Sequence, residues 1–199
     1  MRFSFLFALI GLVLSGTAPG AFATAPTDTT TFQLHDESAM TVHGSSNVRD
    51  WTMDVESFDG QVVFNTETRG TPSIYSLAVE APVEALVADR SSMQEKAHKA
   101  LKKEEYPTVQ FRSDSVTVAT AAADSFLVIA NGDLTIAGET RAVTLRAKGA
   151  SRGDDGYHVR GEHELKLSTF NVERPSALLG ALTVSDGIRL TFDVVLQPQ

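Results

Sequence analysis

The fold class is decided by residues 125–149, which read SFLVIANGDLTIAGETRAVTLRAKG. Apolar residues recur at every second position before the Gly138-Glu139 turn and again after it. They are Phe126, Val128, Ala130, Leu134 and Ile136 before the turn, and Val143, Leu145 and Ala147 after it. A period of two with one polar face is typical of antiparallel strands around a single interior. The stretch therefore predicts two antiparallel strands.

The same alternation continues in both directions from this stretch. From residue 39 to the C-terminus, apolar/polar runs are separated by turn signals such as Asp59-Gly60 and Asp155-Gly156. We count about eight or nine strands, with no repeat and no linker to a second domain. An antiparallel eight-stranded barrel is the predicted fold. A barrel of this size either encloses one ligand or is filled by its own side chains.

One segment, residues 90–107 (RSSMQEKAHKALKKEEYP), has the period of a helix. Ser92 and Glu95 have the spacing of a capping box, and Pro107 biases Tyr106 away from the helical region. The apolar stripe consists of Met93, Ala97, Ala100 and Leu101. We predict one short amphipathic helix over residues 92–105, lying at the barrel end as a flap that shifts when a ligand enters. A helix that merely covers a sheet edge would show the same pattern.

The N-terminus predicts an exported protein. Arg2 precedes an apolar run from Phe3 to Leu14, and Ala21 and Ala23 have the spacing of a signal-peptidase site. We predict a signal peptide over 1–23, a flexible leader over 24–38 and one domain over 39–199, in the periplasm or secreted. A transmembrane anchor is the alternative, but small and polar residues interrupt the run after Leu14.

The charge balance and the lack of cysteine exclude several classes of partner and chemistry. The chain has 25 acidic and 17 basic residues, and cleavage after Ala23 would remove Arg2 as well. This balance argues against nucleic acid as a partner and leaves transient membrane contact at most. The sequence has no cysteine, so disulfides and thiol chemistry are excluded.

Four stretches together resemble a known family. They are VHGSSNVRDW (42–51), EEYPTVQFRSDSV (104–116), GDLTIAGETRAVTL (132–145) and LKLSTFNV (165–172). In combination they are similar to the YceI-like family of periplasmic polyisoprenoid-binding proteins. The sequence departs from many members at two positions, with Arg49 in place of His and Asn171 in place of Gly.

The resemblance implies a lipocalin-like barrel whose elongated apolar cavity holds a polyisoprenoid or the tail of an isoprenoid quinone. We predict a carrier with no catalytic role and no cofactor. The resemblance allows a homodimer, although no strand pattern indicates an interface. The alternative is a filled-core barrel that acts as a periplasmic stress or protein-interaction module without a lipid ligand.

The candidate cavity-lining residues are those that alternate onto the predicted inner face. They are Trp51, Met53, Phe64, Tyr75, Leu77, Phe111, Phe126, Val128, Leu134, Tyr157, His163, Leu165, Phe170 and Phe192. A solid core would use the same residues, so the pattern alone leaves both interpretations open.

His163 is the ionisable candidate on the predicted inner face. It would donate a hydrogen bond to a quinone or phosphate head group near the cavity mouth, or bond to the backbone as a partly buried histidine. His158 lies five residues away, on the opposite side of the strand, so the two do not form a metal site. G-x-S-x-G, H-E-x-x-H, G-x-G-x-x-G and Walker motifs are absent from the sequence, and we predict neither an enzyme nor a metal protein.

Overall fold

Strands form most of the computed structural model, which describes residues 29–65, 73–122, 125–153, 156–177 and 181–199. The predicted signal peptide over 1–23 lies outside these residues. The described strands are β1 (Thr29–Leu34), β2 (Ala39–Ser46), β3 (Asp50–Val55), β4 (Asp59–Asn65), β5 (Ser73–Pro82), β6 (Leu86–Val87), β7 (Thr108–Ala122), β8 (Ser125–Ile136), β9 (Glu139–Ser151), β10 (Tyr157–Lys166), β11 (Ser176–Ala177) and β12 (Leu182–Pro198).

The helical elements are short. The α-helix α1 spans Ser91–Ala100, and 3-10 helices span Val83–Ala85 and Leu167–Phe170. None of the helices in the described ranges is long and apolar enough to cross a lipid bilayer.

Eight of the strands close into an antiparallel barrel. Their order around the barrel is β1-β4-β5-β7-β8-β9-β10-β12, and β12 pairs with β1 to complete the ring. The longest ladder joins β8 to β9, the two strands of residues 125–149 from which the alternation was first identified. The predicted eight-stranded antiparallel barrel with one short helix near its end is therefore confirmed.

The long strand β12 has different partners at the two ends of the barrel. Near its C-terminus it pairs with β1, with Leu196 opposite Leu34, whereas its middle pairs with β2, with Leu190 opposite Val42. Strand β3 follows β2, and two residue pairs join β3 to β6. The sheet thus continues past β12 at one end of the barrel, and we call this end the mouth.

The first strand corrects the predicted boundary of the leader. Residues 29–34 are not a flexible leader, because β1 pairs with both β4 and β12. Phe32 and Leu34 alternate on one face of β1 and pack with Val62, Phe64 and Leu196. The apolar contacts of these two side chains stabilise β1. Its threonine-rich sequence did not show a clear strand pattern.

Four aromatic rings fill the end of the barrel opposite the mouth. We call Phe32, Phe64, Phe126 and Tyr157 the aromatic block. Ring centroids of Phe64 and Tyr157 are 5.1 Å apart and nearly parallel, and those of Phe32 and Phe64 are 4.8 Å apart at 62°. Phe126 meets Tyr157 edge to face at 5.7 Å. These are favourable aromatic geometries, so the barrel is solid at this end.

A second apolar cluster fills the middle of the barrel. We call it the middle cluster. Its buried members are Phe111, Ala130, Leu134, Ile136, Ala137, Phe170 and Val172. Leu77 packs against both this cluster and the residues around the aromatic block, so it connects the two packed regions.

Tyr75 faces outward, which corrects its predicted position on the inner face. In the β4–β5 ladder Val63 is opposite Ser76 and Phe64 is opposite Ile74, so Tyr75 is the extra residue of a β-bulge. Ile74 takes the inward position and packs against the aromatic block, while Tyr75 is 53% exposed. A single inserted residue reverses the alternation from that point on.

The helix also differs from its predicted form. Arg90 is its N-cap and makes no side-chain cap hydrogen bond, so the predicted Ser92–Glu95 capping box is not the cap of this helix. The helix ends at Ala100 rather than near residue 105. Lys102 has a φ of 54°, and the Lys103 amide donates to the His98 carbonyl at 3.0 Å. This is the hydrogen-bond pattern of a Schellman-type C-terminus. It ends the helix several residues before Pro107, so the proline does not determine the end of the helix.

Candidate functional site

A cavity of about 340 Å³ lies at the mouth of the barrel, between β2, β3, the start of β12 and α1. Apolar side chains form most of its wall. Its polar and charged residues are Ser46, Arg49, Arg90, Ser92, Lys96 and Ser176. A cavity of this kind, largely apolar and about 300–1,000 Å³ in volume, is typical of sites for small organic ligands.

Strands supply three sides of the wall through their inward-facing residues. On β2 and β3 these are Met40, Val42, Trp51, Met53 and Val55, and on β12 they are Leu182, Val184, Ile188 and Leu190. Cross-strand pairing brings Val42 against both Met53 and Leu190. The alternation of each strand thus produces a continuous apolar surface.

The fourth side of the wall is α1. Its apolar stripe, Met93, Ala97, Ala100 and the adjoining Leu101, lines the cavity. No residue of the helix is fully buried, as expected for a single amphipathic helix that covers an opening. The helix lies at the barrel mouth, as the sequence predicted, and its shift on ligand entry stays a prediction.

Side-chain hydrogen bonds hold α1 in place over the cavity. His98 Nε2 and the Leu86 carbonyl oxygen are 2.9 Å apart, Gln94 Oε1 accepts from the Ala88 amide at 3.4 Å, and Lys96 Nζ donates to the Ser176 carbonyl at 3.2 Å. The first two bonds tie the helix to β6 and its end, and the third ties it to β11. Each is partly or fully exposed to solvent, so each stabilises the position of the helix only modestly.

The middle cluster forms the floor of the cavity. Phe170 is 1% exposed and lines the cavity together with Leu167, from the 3-10 helix Leu167–Phe170. Asp186 fixes the start of this helix by accepting from the Ser168 amide at 2.8 Å and from Ser168 Oγ at 2.7 Å. The hydrogen bonds from Ser168 lower the pKa of Asp186, so this carboxylate stays ionised and keeps its role as an acceptor.

The end of the same 3-10 helix is held against β9. Asn171 has a φ of 51°, and its Nδ2 donates to Glu139 Oε1 at 2.8 Å. Arg141 forms an ion pair with Glu139 at 3.0 Å and donates to the Thr169 carbonyl at 3.0 Å. The hydrogen bond from Asn171 and the charge of Arg141 lower the pKa of Glu139. Glycine and asparagine adopt this left-handed backbone more readily than other residues do.

Five of the sequence-predicted residues line this cavity: Trp51, Met53, Leu134, Leu165 and Phe170. Seven others lie inside the barrel but away from the cavity. They are Phe64, Leu77, Phe111, Phe126, Val128, Tyr157 and Phe192. Tyr75 points to solvent, as described above.

His163 faces the barrel interior between Gly161 and Leu165, opposite Leu190 on β12. It does not belong to the cavity lining, although Leu165 and Leu190 do. Burial lowers the pKa of His163 below its usual value, so the neutral imidazole is favoured. No hydrogen bond joins its ring to the residues described around it. Neither the predicted bond to a ligand head group nor the alternative bond to the backbone therefore gains support.

The cavity-lining residues predicted from the sequence did not include several residues of the site. Met40, Val42 and Leu190 alternate onto the inner face of their strands, and this period-two pattern would have identified them. Arg49 and Lys96 belong to a turn and a helix face that are normally solvent-exposed, and nothing in the local sequence signals that they border a cavity.

The described residues contain no cluster of three or more His, Asp or Glu side chains arranged to hold a metal ion. An ionic cluster joins Asp193 to His158 and Arg160, with Arg160 Nε 2.7 Å from Asp193 Oδ2. Burial by itself would raise the pKa of Asp193, but His158 and Arg160 together lower it. This cluster lies on the outer face of the barrel, on alternate residues to those that face inward.

Comparison with known proteins agrees with this architecture. The family model of the YceI-like domain matches residues 24–196 of the chain. A comparison with curated proteins gave no match.

Solved structures share the fold at low sequence identity. BcnA from Burkholderia cenocepacia is 20% identical, with a TM-score of 0.61, and the match covers 80% of this chain and 96% of that one. A polyisoprenoid binding domain from Saccharophagus degradans, implicated in plant cell wall breakdown, is 12% identical with a TM-score of 0.67, covering 85% and 99%. The YCEI protein from Campylobacter jejuni is 17% identical with a TM-score of 0.56, covering 74% and 84%.

Proposed function

The chain belongs to the YceI-like family, and from this premise we propose that it is an exported binding protein whose mouth cavity holds the tail of a polyisoprenoid or isoprenoid quinone. The observation that carries the proposal is the cavity itself, a largely apolar space of about 340 Å³ that the protein's own side chains leave unfilled. The polyisoprenoid binding domain from Saccharophagus degradans, which has the same fold, supports the choice of ligand class.

The chemistry of the wall suits a hydrocarbon tail. Removing a methylene group from water contributes about 0.8 kcal/mol, and Val42, Met53, Leu190 and their neighbours offer few groups that would need a polar partner. A tail made of isoprene units provides many such methylenes without a hydrogen-bond donor. The middle cluster closes the cavity below, so the tail enters and leaves through the mouth beside α1.

The proposal includes export and the absence of catalysis. Removal of residues 1–23 would release a mature chain that begins at Thr24, and the protein would then shield its ligand in the periplasm or outside the cell. The intact mass of protein purified from cells tests this part, because it reports the first residue of the mature chain directly.

Native mass spectrometry of protein purified from cells, followed by extraction and identification of lipid, tests ligand binding. We expect an added mass of several hundred daltons that the extraction converts into an isoprenoid. Spectra of empty protein, with no uptake of added isoprenoid quinone, would contradict the proposal and favour the alternative, a barrel that acts as an interaction or stress module.

A matched pair of helix variants locates the ligand. Ala97→Phe adds a ring to the stripe that lines the cavity, whereas Lys99→Phe adds the same ring to the exposed face of α1. We expect Ala97→Phe to abolish most uptake and Lys99→Phe to leave it intact. Equal uptake by the two variants would show that the tail binds elsewhere.

A further inference from the structure

Three of the four methionines of the chain lie in the wall of one cavity. Met40, Met53 and Met93 line the mouth cavity, and the fourth, Met1, belongs to the predicted signal peptide. The chain has no cysteine, so the methionine thioethers are the groups that a mild oxidant modifies first. An oxidant that attacks the mature protein therefore acts on the wall of a single cavity.

The three methionines reach the cavity from different elements. Met53 on β3 is opposite Val42 on β2, and Met40 lies two residues before Val42 on the same face of β2. Met40 and Met53 are therefore diagonal neighbours across the two strands. Met93 reaches the cavity from the helix side, as part of the apolar stripe of α1.

Burial distinguishes the three side chains. Met53 is 3% exposed, whereas Met40 and Met93 are each partly exposed. An oxidant must reach the sulfur lone pair, so the rate of oxidation follows exposure. Met40 and Met93 are thus the reactive pair, and Met53 is a protected methionine in the same wall.

Oxidation would change the polarity of the strand side of this wall. A thioether is apolar and adapts to the shape of its surroundings, whereas a sulfoxide carries a polar oxygen that accepts hydrogen bonds. Met40 is opposite Phe192 on β12, and this side chain offers no hydrogen-bond donor. Because a polar group without a partner is costly in an apolar environment, a sulfoxide at Met40 would disfavour contact with a hydrocarbon tail.

Oxidation of Met93 would also weaken the attachment of α1. The helix has no fully buried residue, and it covers the cavity through the apolar stripe to which Met93 and Ala97 belong. Its side-chain hydrogen bonds to the barrel are partly or fully exposed and hold it only modestly. A polar oxygen on Met93 would reduce the apolar contact that keeps this side of the cavity closed.

We propose that Met40 and Met93 are oxidation sites through which a peroxide makes the cavity release its ligand. The sulfur lone pair attacks one oxygen of hydrogen peroxide, so that an S–O bond forms and the O–O bond breaks. The second oxygen takes up the proton of the transferred one and leaves as water, and the peroxide is reduced as the sulfur is oxidised to the sulfoxide. This inference rests on the proposed function and adds control by oxidants at the same site.

The test compares ligand binding before and after oxidation. The mature protein is treated with hydrogen peroxide, freed of the excess with catalase, and titrated with farnesol while the fluorescence of Trp51, the one tryptophan of the chain, is recorded. Peptide mass spectrometry measures the gain of oxygen at each methionine. We expect Met40 and Met93 to be oxidised before Met53. Binding should become weaker by about tenfold, which corresponds to about 1.4 kcal/mol.

Variants assign the loss to the two sulfurs. Met40→Leu with Met93→Leu supplies side chains of similar volume that peroxide does not oxidise, and treated and untreated samples of this variant should bind farnesol equally. Adding Lys99→Met to it provides an oxidisable sulfur on the exposed face of α1, and oxidation there should not weaken binding. Met93→Gln places a polar side chain of similar length in the stripe and should weaken binding without any oxidant.

The outcomes separate this inference from the proposed function. If the untreated protein binds farnesol and complete oxidation of Met40 and Met93 leaves the affinity unchanged, control by oxidants is overturned while tail binding stands. A loss that persists in Met40→Leu with Met93→Leu would also overturn it, because another residue would then be responsible. If the untreated protein does not bind farnesol, the proposed function fails together with the inference.

Discussion

The indole ring of Trp51 lies against the backbone of Gly44, its direct cross-strand partner, so closely that a Cβ on Gly44 would be 2.1 Å from Trp51 Cζ2. The same arrangement recurs at two further cross-strand pairs, with Phe126 over Gly149 and Phe192 over Gly161. In each pair the glycine leaves room for an aromatic ring to extend across the neighbouring strand. At Trp51 this places the ring in the wall of the cavity.

We predict that Gly44→Ala destabilises the protein by about 1–3 kcal/mol, the usual cost of forcing extra volume into a packed site. The added methyl group must displace the indole, so we also expect a shift in the emission maximum of Trp51. Thermal unfolding and fluorescence spectra measure the two effects. Gly187→Ala is the control, because a Cβ there meets no atom within 4 Å. A Gly44→Ala variant with the melting temperature and emission of the control would contradict the prediction.

A second prediction concerns the aromatic block. Phe64→Ala should cost about 3–5 kcal/mol, because Phe64 is 5% exposed and contacts both Phe32 and Tyr157. Tyr75→Ala, which removes an exposed ring from the neighbouring strand, should change stability by no more than about 0.5 kcal/mol. Urea unfolding curves give both values. Should Phe64→Ala fail to fold, Phe64→Leu supplies a milder measure of the same packing.

The third prediction is a pH dependence. Burial lowers the pKa of His163 below the value of 6.5 expected in the unfolded chain. Below about pH 6.5 the unfolded chain therefore binds more protons than the folded protein does. Stability should fall as the pH decreases from 6.5 through the lower pKa of the folded state. His163→Gln should reduce this slope between about pH 7 and pH 5, as measured by denaturant unfolding at several pH values. An unchanged slope would mean that His163 is not the group responsible.

The fourth prediction concerns the carboxylate that anchors the cavity floor. Asp186→Ala should lower the melting temperature at neutral pH and weaken binding in the cavity, because the 3-10 helix that carries Phe170 loses both bonds from Ser168. The Asp186 pKa is depressed by these bonds, so its stabilisation is present above about pH 3.8 and is lost as the pH falls through the folded pKa. The difference from the unmodified protein should therefore shrink in acid.

A double-mutant cycle provides the control for this fourth prediction. Ser168→Ala removes the hydroxyl partner alone and should lower the melting temperature less than Asp186→Ala does. The double variant should be no less stable than Asp186→Ala, because the two residues act through shared hydrogen bonds. Fully additive losses would contradict the proposed link between them.

The fold could be predicted from the sequence because two physical periods dominate it. The alternation in residues 125–149 reflects strands with one wet face, and the 3.6-residue period of Met93, Ala97, Ala100 and Leu101 reflects a helix with one apolar face. Both patterns are local, and the structure preserves both. The strand β1 escaped notice because only Phe32 and Leu34 carry its apolar pattern.

The site could be predicted only in part, because a cavity wall and a packed core use the same side chains. Trp51 lines the cavity and Phe64 does not, yet both follow the same alternation on their strands. The bulge at Tyr75 reversed one further assignment, because Ile74 and Tyr75 are both largely apolar and the sequence does not show which of them faces inward. Cationic residues such as Arg49 reach the cavity through the three-dimensional arrangement of a turn, which the sequence pattern does not specify.

Under the proposed function, the aromatic block would allow the protein to fold before it binds a ligand. The four rings complete one half of the protein with its own side chains, so this half needs no bound molecule to reach its native shape. Under the proposed function, an empty barrel would already be folded when it meets its ligand and would stay folded after each release. Substitutions at the mouth would then change ligand selection with little effect on the stability of this half.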